Sequence, residues 1–296
     1  MQIRDAIEAV KAYCKGTNPD GSAIDPVKTR DQVLWGADRL DAECTGIVCC
    51  IWATMDVVRQ AAARGANLVI SHEALFWNHG DHTDWLEAQR NRAFAAKRDL
   101  LEQTGMVVWR CHDYIHSGIP AASCGAGNGT WVDGIFWGAA RKLGWEPLGP
   151  IEPLSNAAVF LRTQLDGRPA GQLAQDVVRA LGTNGCRLIG DPATPVHHVG
   201  AAMHMFGFSD REMISALDRD DVDCLLAMET TDYTVLEYVR DASQAGHPKA
   251  VLSIGHFNFE EPGMEAMVDW LPTALGPGCP EASFVAAGDP FRYVLS

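Results

Sequence analysis

The sequence predicts an α/β protein built from parallel sheets, and three observations carry that reading. Short β-rich apolar runs alternate with amphipathic helical segments along the chain. Helical segments end repeatedly on glycine, as at Gly65, Gly105, Gly144 and Gly182. The plan is then repeated in the second half, so two sheets are expected. Alternation of this kind is the signature of βαβ units.

Taken in order, MQIRDAIEAVKAYCKG opens the chain as an amphipathic helix with Ile3, Ile7 and Val10 on one face. It carries acids and has no continuous apolar stretch, so it does not read as a signal peptide. GIVCCIWAT (46–54) is a strand and MDVVRQAAARG a helix. NLVIS (67–71) is the next strand, and DWLEAQRNRAFAAKRDLLEQTG (84–105) is one long helix from an aspartate to a glycine. MVVWRC (106–111) is a strand and WVDGIFWGAARKLG (131–144) a helix. GWEPLGPIEPLSN (144–156), rich in proline and glycine, divides the chain into lobes 1–145 and 146–296. In the second lobe NAAVFLRT, HHVGAAM, DCLLAME and KAVLSIG are strands. LAQDVVRALG, DREMISALDRD, TVLEYVRDASQAG and GMEAMVDWLPTALG are helices, the last beginning near Pro262.

Composition narrows the function. The 296 residues are 47% hydrophobic and 21% charged, with a formal net charge of −14, which disfavours a phosphate-backbone binder and hence a nucleic-acid partner. No run approaches the ~18 apolar residues that span a bilayer. The nine cysteines are scattered without a CxxC pair; reduced, mostly buried thiols in a cytoplasmic protein are expected.

Ligand sites of parallel sheets lie at the carboxyl ends of strands. NLVIS delivers His72 and Glu73 there. VVWRC delivers His112 and Asp113, with His116 four residues after His112. AVLSIG delivers His256 and, four residues later, Glu260. Imidazole and carboxylate together suit zinc, iron, manganese or nickel. Around these ends, NHGDHTDW (78–85) reads as a solvated or substrate-facing loop with Asp84 as a helix cap, CGAGNG (124–129) as a tight connection, and Glu229 as a possible substrate contact. Trp77, Trp85, Trp109, Trp131 and Trp137 read mostly as core, with one or two able to stack a flat ring. His197-His198 opens a strand, so one of the pair should point inward.

These strand ends resemble the Nif-three-like family, dinuclear-metal proteins labelled homologues of GTP cyclohydrolase 1 type 2. The family's Ser-His-His-Pro-Leu reads SHEAL here, within GANLVISHEALFW. Its His-Thr-Asn-Leu-Asp reads HDYIH, within CHDYIHSGIP, and Gly-His-Tyr-x-x-Glu is matched by GHFNFE in SIGHFNFEEPGMEAM. GDPFRYV resembles the closing segment. The resemblance runs in order from about residue 31. Glu73 stands where the family has its second histidine, His116 where it has an aspartate, and the Gly-rich strand–loop of the second half is altered to HHVGAAMHMFGFSD.

The resemblance implies two interlinked βαβ-type lobes, with residues 251–296 packing back on the first lobe and the metal site in the cleft between them. It implies two divalent ions (Zn, Fe or Mn) on His72, Glu73, His112, His116, His256 and Glu260, and a toroidal homo-hexamer. It also implies a hydrolase that opens a cyclic amide or related nitrogen heterocycle with a metal-activated water. Glu73, as ligand or general base, and Glu260, as the bridging carboxylate, are the catalytic candidates; Trp77, His82 and Glu229 are the substrate-binding ones. The rival class is a non-catalytic metal-binding or interaction protein.

Overall fold

A computed structural model describes residues 1–124, 131–145, 159–205 and 210–294. Most of CGAGNG and of the proline-rich 144–156 segment, and residues 206–209, lie outside them. The chain forms two compact units, Met1–Gly138 with Glu261–Ala287, and Ala139–Glu260 with Gly288–Ser296.

The first unit holds α1 (Ile3–Tyr13), β1 (Val33–Trp35), β2 (Ile47–Cys50), α2 (Met55–Ala63), β3 (Leu68–Ser71), α3 (Asp84–Ala88), α4 (Arg92–Thr104), β4 (Val107–Arg110), α5 (Asp113–Ser117), β5 (Ile119–Pro120), β6 (Trp131–Val132) and the start of α6 (Gly134–Leu143). The second holds β7 (Val159–Pro169), α7 (Ala170–Leu181), β8 (Arg187–Ile189), β9 (Pro195–Met205), α8 (Asp210–Leu217), β10 (Cys224–Thr230), α9 (Val235–Gln244) and β11 (Ala250–Ser253). Helix α10 (His256–Leu275) begins in the second unit and continues in the first, which also contains β12 (Ala282–Phe284).

Each unit is organised by one mixed five-stranded sheet, in the orders β1-β4-β3-β2-β12 and β7-β9-β10-β11-β8. The central strands run parallel, and β1, β7 and β8 pair antiparallel at edges. Every residue of β2, β3 and β4 is buried. That explains their unbroken apolar runs, since a parallel strand covered on both faces has no polar side to show. Val57, Val58 and Ala61 of α2 and Phe94 and Leu101 of α4 pack on the first sheet's core. Among the described residues no helix is long and apolar enough to cross a membrane, and Cys14, Cys44, Cys49, Cys50, Cys111 and Cys224 are buried free thiols.

The structure departs from the sequence reading in several places. The long 84–105 helix is broken at Gln89–Asn91: Arg90 has φ 50°, and the Asn91 side chain accepts from Phe94 N–H at 3.0 Å to start α4 afresh. Thr83 precedes α3, so Asp84 is its first residue and not its cap. Residues 131–132 form β6, and the helix starts only at Gly134. Helix α10 starts at His256, six residues ahead of Pro262; proline favours a first turn, which made 262 look like the start. Neither His197 nor His198 is buried. Their backbone N–H groups both donate to Asp223 Oδ2 at 2.8 Å. Of the five tryptophans named above only Trp109 is core; Trp137 is partly buried, and Trp77, Trp85 and Trp131 are exposed.

Within the first unit α6 and α10 cross through glycines. A Cβ on Gly138 would lie 2.5 Å from Gly263 Cα and 2.6 Å from the Pro262 carbonyl oxygen, so nothing larger than hydrogen fits. Gly138→Ala is expected to cost about 1–3 kcal/mol, the usual range for overpacking, read as a lower urea midpoint at unchanged slope.

Candidate metal centre

The parallel register does the first part of the assembly. Ser71 of β3 pairs with Arg110 of β4, so the two strands end level and their next residues emerge side by side. His72 Nδ1 meets the Cys111 carbonyl oxygen at 3.0 Å. A carbonyl can only accept, so Nδ1 carries the proton and Nε2 the lone pair. His112 and His116 follow, the first at the N-cap of the short helix α5 and the second within it. The ring centroids are 4.6 Å apart for His72–His112, 5.0 Å for His72–His116 and 4.9 Å for His112–His116. One ligand atom from each of the three lies within 4.8 Å of the others.

Each remaining ring is also held at Nδ1 by an acceptor. His112 Nδ1 pairs with Asp113 Oδ1 at 2.9 Å and His116 Nδ1 with Asp133 Oδ2 at 2.8 Å. An ionised carboxylate leaves the proton on Nδ1 and turns Nε2 into the donor atom of the cluster. This is the outer-partner pattern of metal-bound histidine. The partners are themselves anchored. Asp133 Oδ1 accepts from Ile135 and Phe136 N–H at 2.9 and 3.0 Å, capping α6. Asp113 Oδ2 accepts from Thr29 Oγ1 and Arg30 N–H, both at 2.9 Å. Asp31, buried, accepts from His112 N–H at 2.9 Å and Asp113 N–H at 2.7 Å. Sequence reasoning missed Asp31 and Asp133; the position of Asp133 just before α6 could have flagged it, whereas Asp31 has no local signal.

Charge follows the packing. Burial, and then the neighbouring His112 and His116, holds the His72 imidazole well below its usual pKa. Burial lowers His112 too, against the pull of Asp113. Asp113 falls well below the carboxylate range: burial pushes it up, but the His112 ring, Arg30 N–H and Thr29 outweigh that. His72 and His112 thus resist protonation, and neutral imidazole is the form that ligates.

Glu73 is placed differently from the three histidines. Its Oε2 meets Arg110 Nη2 at 3.0 Å in a buried ion pair. Arg110 Nε donates to the His72 carbonyl at 3.1 Å and Nη1 to the His79 carbonyl at 3.0 Å. Arg110 is 1% exposed and was not anticipated, because an arginine closing an apolar strand reads as the point where it surfaces.

In the second unit, β10 and β11 run parallel with Ala227 beside Ser253, and their ends carry Glu229 and His256. Glu229 Oε1 meets His256 Nδ1 at 2.6 Å, and His256 Nε2 meets Glu260 Oε2 at 2.9 Å. The four-residue gap works as a helical i, i+4 pair. Between two carboxylates the ring either carries both protons or gives the Glu260 side to a cation. Glu229, expected to touch substrate, orients His256 here.

The other substrate candidates lie on one loop of the first unit. Trp77 is 54% exposed. A Cβ on Gly80 would meet His82 Nε2 at 2.6 Å, so the His82 ring is folded onto the Gly80 backbone. The loop residue near the cluster is His79, whose ring stands 6.3 Å from that of His112.

Fold and site together define an α/β protein with a candidate His/Glu metal centre. Residues 27–100 match the Duf34/NIF3 family model, NGG1p interacting factor 3. The fold is similar to that of Staphylococcus aureus hypothetical protein SA1388, with a TM-score of 0.68 at 15% identity over 99% of both chains. It is similar to a Bacillus cereus protein related to NIF3, with a TM-score of 0.60 at 15% identity over 99% of both chains. Reduced HcgD from Methanocaldococcus jannaschii gives a TM-score of 0.61 at 12% identity, over 96% of this chain and 97% of that one. At such identities the likeness concerns the fold alone. No curated protein matches the chain by sequence.

Two outcomes are expected. Because His72 and His112 resist protonation when folded but titrate near ~6.5 when unfolded, the unfolded chain binds more protons as pH falls. The metal-free protein should hold its full stability above that pH and lose it below, seen as a falling Tm between pH 7.5 and 5; a flat profile would contradict the packing. Secondly, Arg110→Met strips a buried carboxylate of its guanidinium and should cost about 3–5 kcal/mol in urea unfolding. Arg110→Met with Glu73→Leu should recover much of the loss.

Proposed function

We propose that the chain is a divalent-metal-dependent hydrolase of C–N bonds, acting on a cyclic amide or related nitrogen heterocycle. The observation that carries this reading is the set of three mutually adjacent histidines, each fixed at Nδ1 by a carbonyl or carboxylate. That donor set fits a borderline divalent ion, as zinc, iron or manganese.

His72, His112 and His116 would hold one ion; His256 and Glu260, oriented by Glu229, would hold another. A bound divalent ion lowers the pKa of its water towards neutrality and withdraws charge from a carbonyl oxygen. The chain's own residues supply the rest. The buried ion pair with Arg110 orients the Glu73 carboxylate, which would ligate or take a proton. Glu260, 2% exposed, is the second carboxylate of this proposal. Exposed Trp77 offers a flat apolar face for a heterocycle. Homo-hexamer formation and a cytoplasmic setting belong to the same proposal.

A second reading is favoured by the family description, which names an interacting factor: a metal-binding protein that acts by interaction, without turnover. Metal analysis and a substrate screen separate the two. Reconstituted protein should carry close to two divalent ions per chain. His112→Ala should remove one and Glu260→Ala should empty or loosen the other. Against a panel of cyclic amides, both changes should lower turnover by roughly 100-fold or more, the usual effect of losing a catalytic group. Full metal loading with no turnover across the panel would favour the interaction reading, and failure to bind zinc, iron or manganese would remove both.

A further inference from the structure

Residues 288–294, the last described residues of the chain, form neither helix nor strand, yet they are fastened at several points within the second unit. Asp289 opens the hook. Its Oδ2 accepts from Asn184 N–H at 2.7 Å and its Oδ1 from Phe291 N–H at 2.8 Å. The Asn184 side chain donates back to the Phe291 carbonyl at 2.8 Å. Further on, Tyr293 Oη donates to the Gly185 carbonyl at 2.9 Å, and a Cβ on Gly185 would meet the Tyr293 ring at 2.8 Å. Carboxylate, amide and phenol thus fix the backbone on both sides of Phe291, in a segment with no ladder of its own.

What the hook places is the Phe291 ring, and it places the ring on Gly255. A Cβ on Gly255 would collide with Phe291 Cε2 and lie 3.3 Å from Cδ2. Gly255 has φ 95°, a backbone that residues with side chains rarely adopt, so the turn out of β11 requires glycine. Glycine is also the most pliable link a chain can have, and this one immediately precedes His256, the first residue of α10. The Phe291 ring fills the space where a side chain of residue 255 would pack. It supplies from another segment the contact that glycine lacks. Hydrogen bonds complete the corner. Ile254 N–H donates to the Ala227 carbonyl at 3.1 Å and Phe259 N–H to that of Gly255 at 3.2 Å. Asn258 Nδ2 donates to the Ile254 carbonyl at 2.7 Å. The pair carried on this first turn is His256 and Glu260.

We propose that Phe291 is a positioning residue for the candidate metal centre: seated on Gly255, it fixes the direction in which the chain leaves β11 and so the placement of His256 and Glu260. The proposal rests on reading those two residues as ligands, and it gives the closing segment a part in that reading. Phe291 acts through Gly255.

The test uses the full-length protein, first without metal. Hydrogen exchange of the Phe259 and Glu260 amides reads the first turn of α10 directly. In Phe291→Ala both should exchange roughly tenfold faster or more, as a local opening, while the amides of β10 keep their wild-type rates. Phe291→Tyr keeps the ring and should restore slow exchange, with Phe291→Leu in between. The ring is 47% exposed, and the amide spectrum of each variant checks that the fold survives; should Phe291→Ala fail that check, Phe291→Leu decides. Zinc titration follows. Phe291→Ala should weaken one ion by roughly tenfold or more, the scale for a lost outer partner of a ligand, and leave the other unchanged, with Phe291→Tyr like wild type. A lower urea midpoint with unchanged exchange at the turn and unchanged zinc affinities would mean packing alone and overturns the proposal. Failure of Phe291→Tyr to restore exchange overturns it too. Wild-type protein that takes up no zinc would remove the ligand reading itself, whereas the exchange data decide independently whether Phe291 holds the turn.

Discussion

A buried guanidinium organises the candidate site of the first unit. Arg110 closes β4 with almost no exposure, and a charge so placed must spend its donors on fixed acceptors. It spends them on the His72 carbonyl, the Glu73 carboxylate and the His79 carbonyl. One side chain thereby fixes where β3 ends, which way Glu73 faces, and where the following loop returns. Glu73, at the position where the related family carries a histidine, is thus compensated from within the same sheet.

The histidines themselves obey one rule. Each gives Nδ1 to an acceptor, a carbonyl at His72 and a carboxylate at His112, His116 and His256, and the three of the first unit keep Nε2 for their cluster. Two carboxylates of the site are held by backbone N–H groups at helix starts, where the unsatisfied amides of a first turn favour an anion. Asp133 at α6 and Asp31 beneath α5 both serve this way. At Asp133 the ordinary need to cap a helix and the special need to orient a ligand are met by the two oxygens of one carboxylate.

How much of this was legible follows from how local each signal is. His72, His112 and His256 stand just after apolar strands, with His116 and Glu260 one helical turn further on, and strand runs are visible in sequence because parallel strands are buried on both faces. Asp31 lies 81 residues from His112, and Arg110 lies 37 from Glu73; such pairs exist only once β1, β3 and β4 are laid side by side. The same limit applies to β1, β8 and β12, short edge strands whose three residues carry no readable period. The break at Arg90 and the early start of α10 were hidden for another reason: helical spacing continues through both, and only backbone angles and hydrogen bonds register the change.

The sequence by itself determined the α/β alternation, the residues that reach the strand ends, and the chemical types offered there, because these depend on neighbours a few positions apart. Tertiary structure alone decided which nitrogen each histidine presents, that Glu73 is bound to Arg110, that Glu229 orients His256, and that His79 rather than His82 stands beside the cluster. Those outcomes turn on distances of about 3 Å between residues far apart in the chain, and no local pattern encodes them.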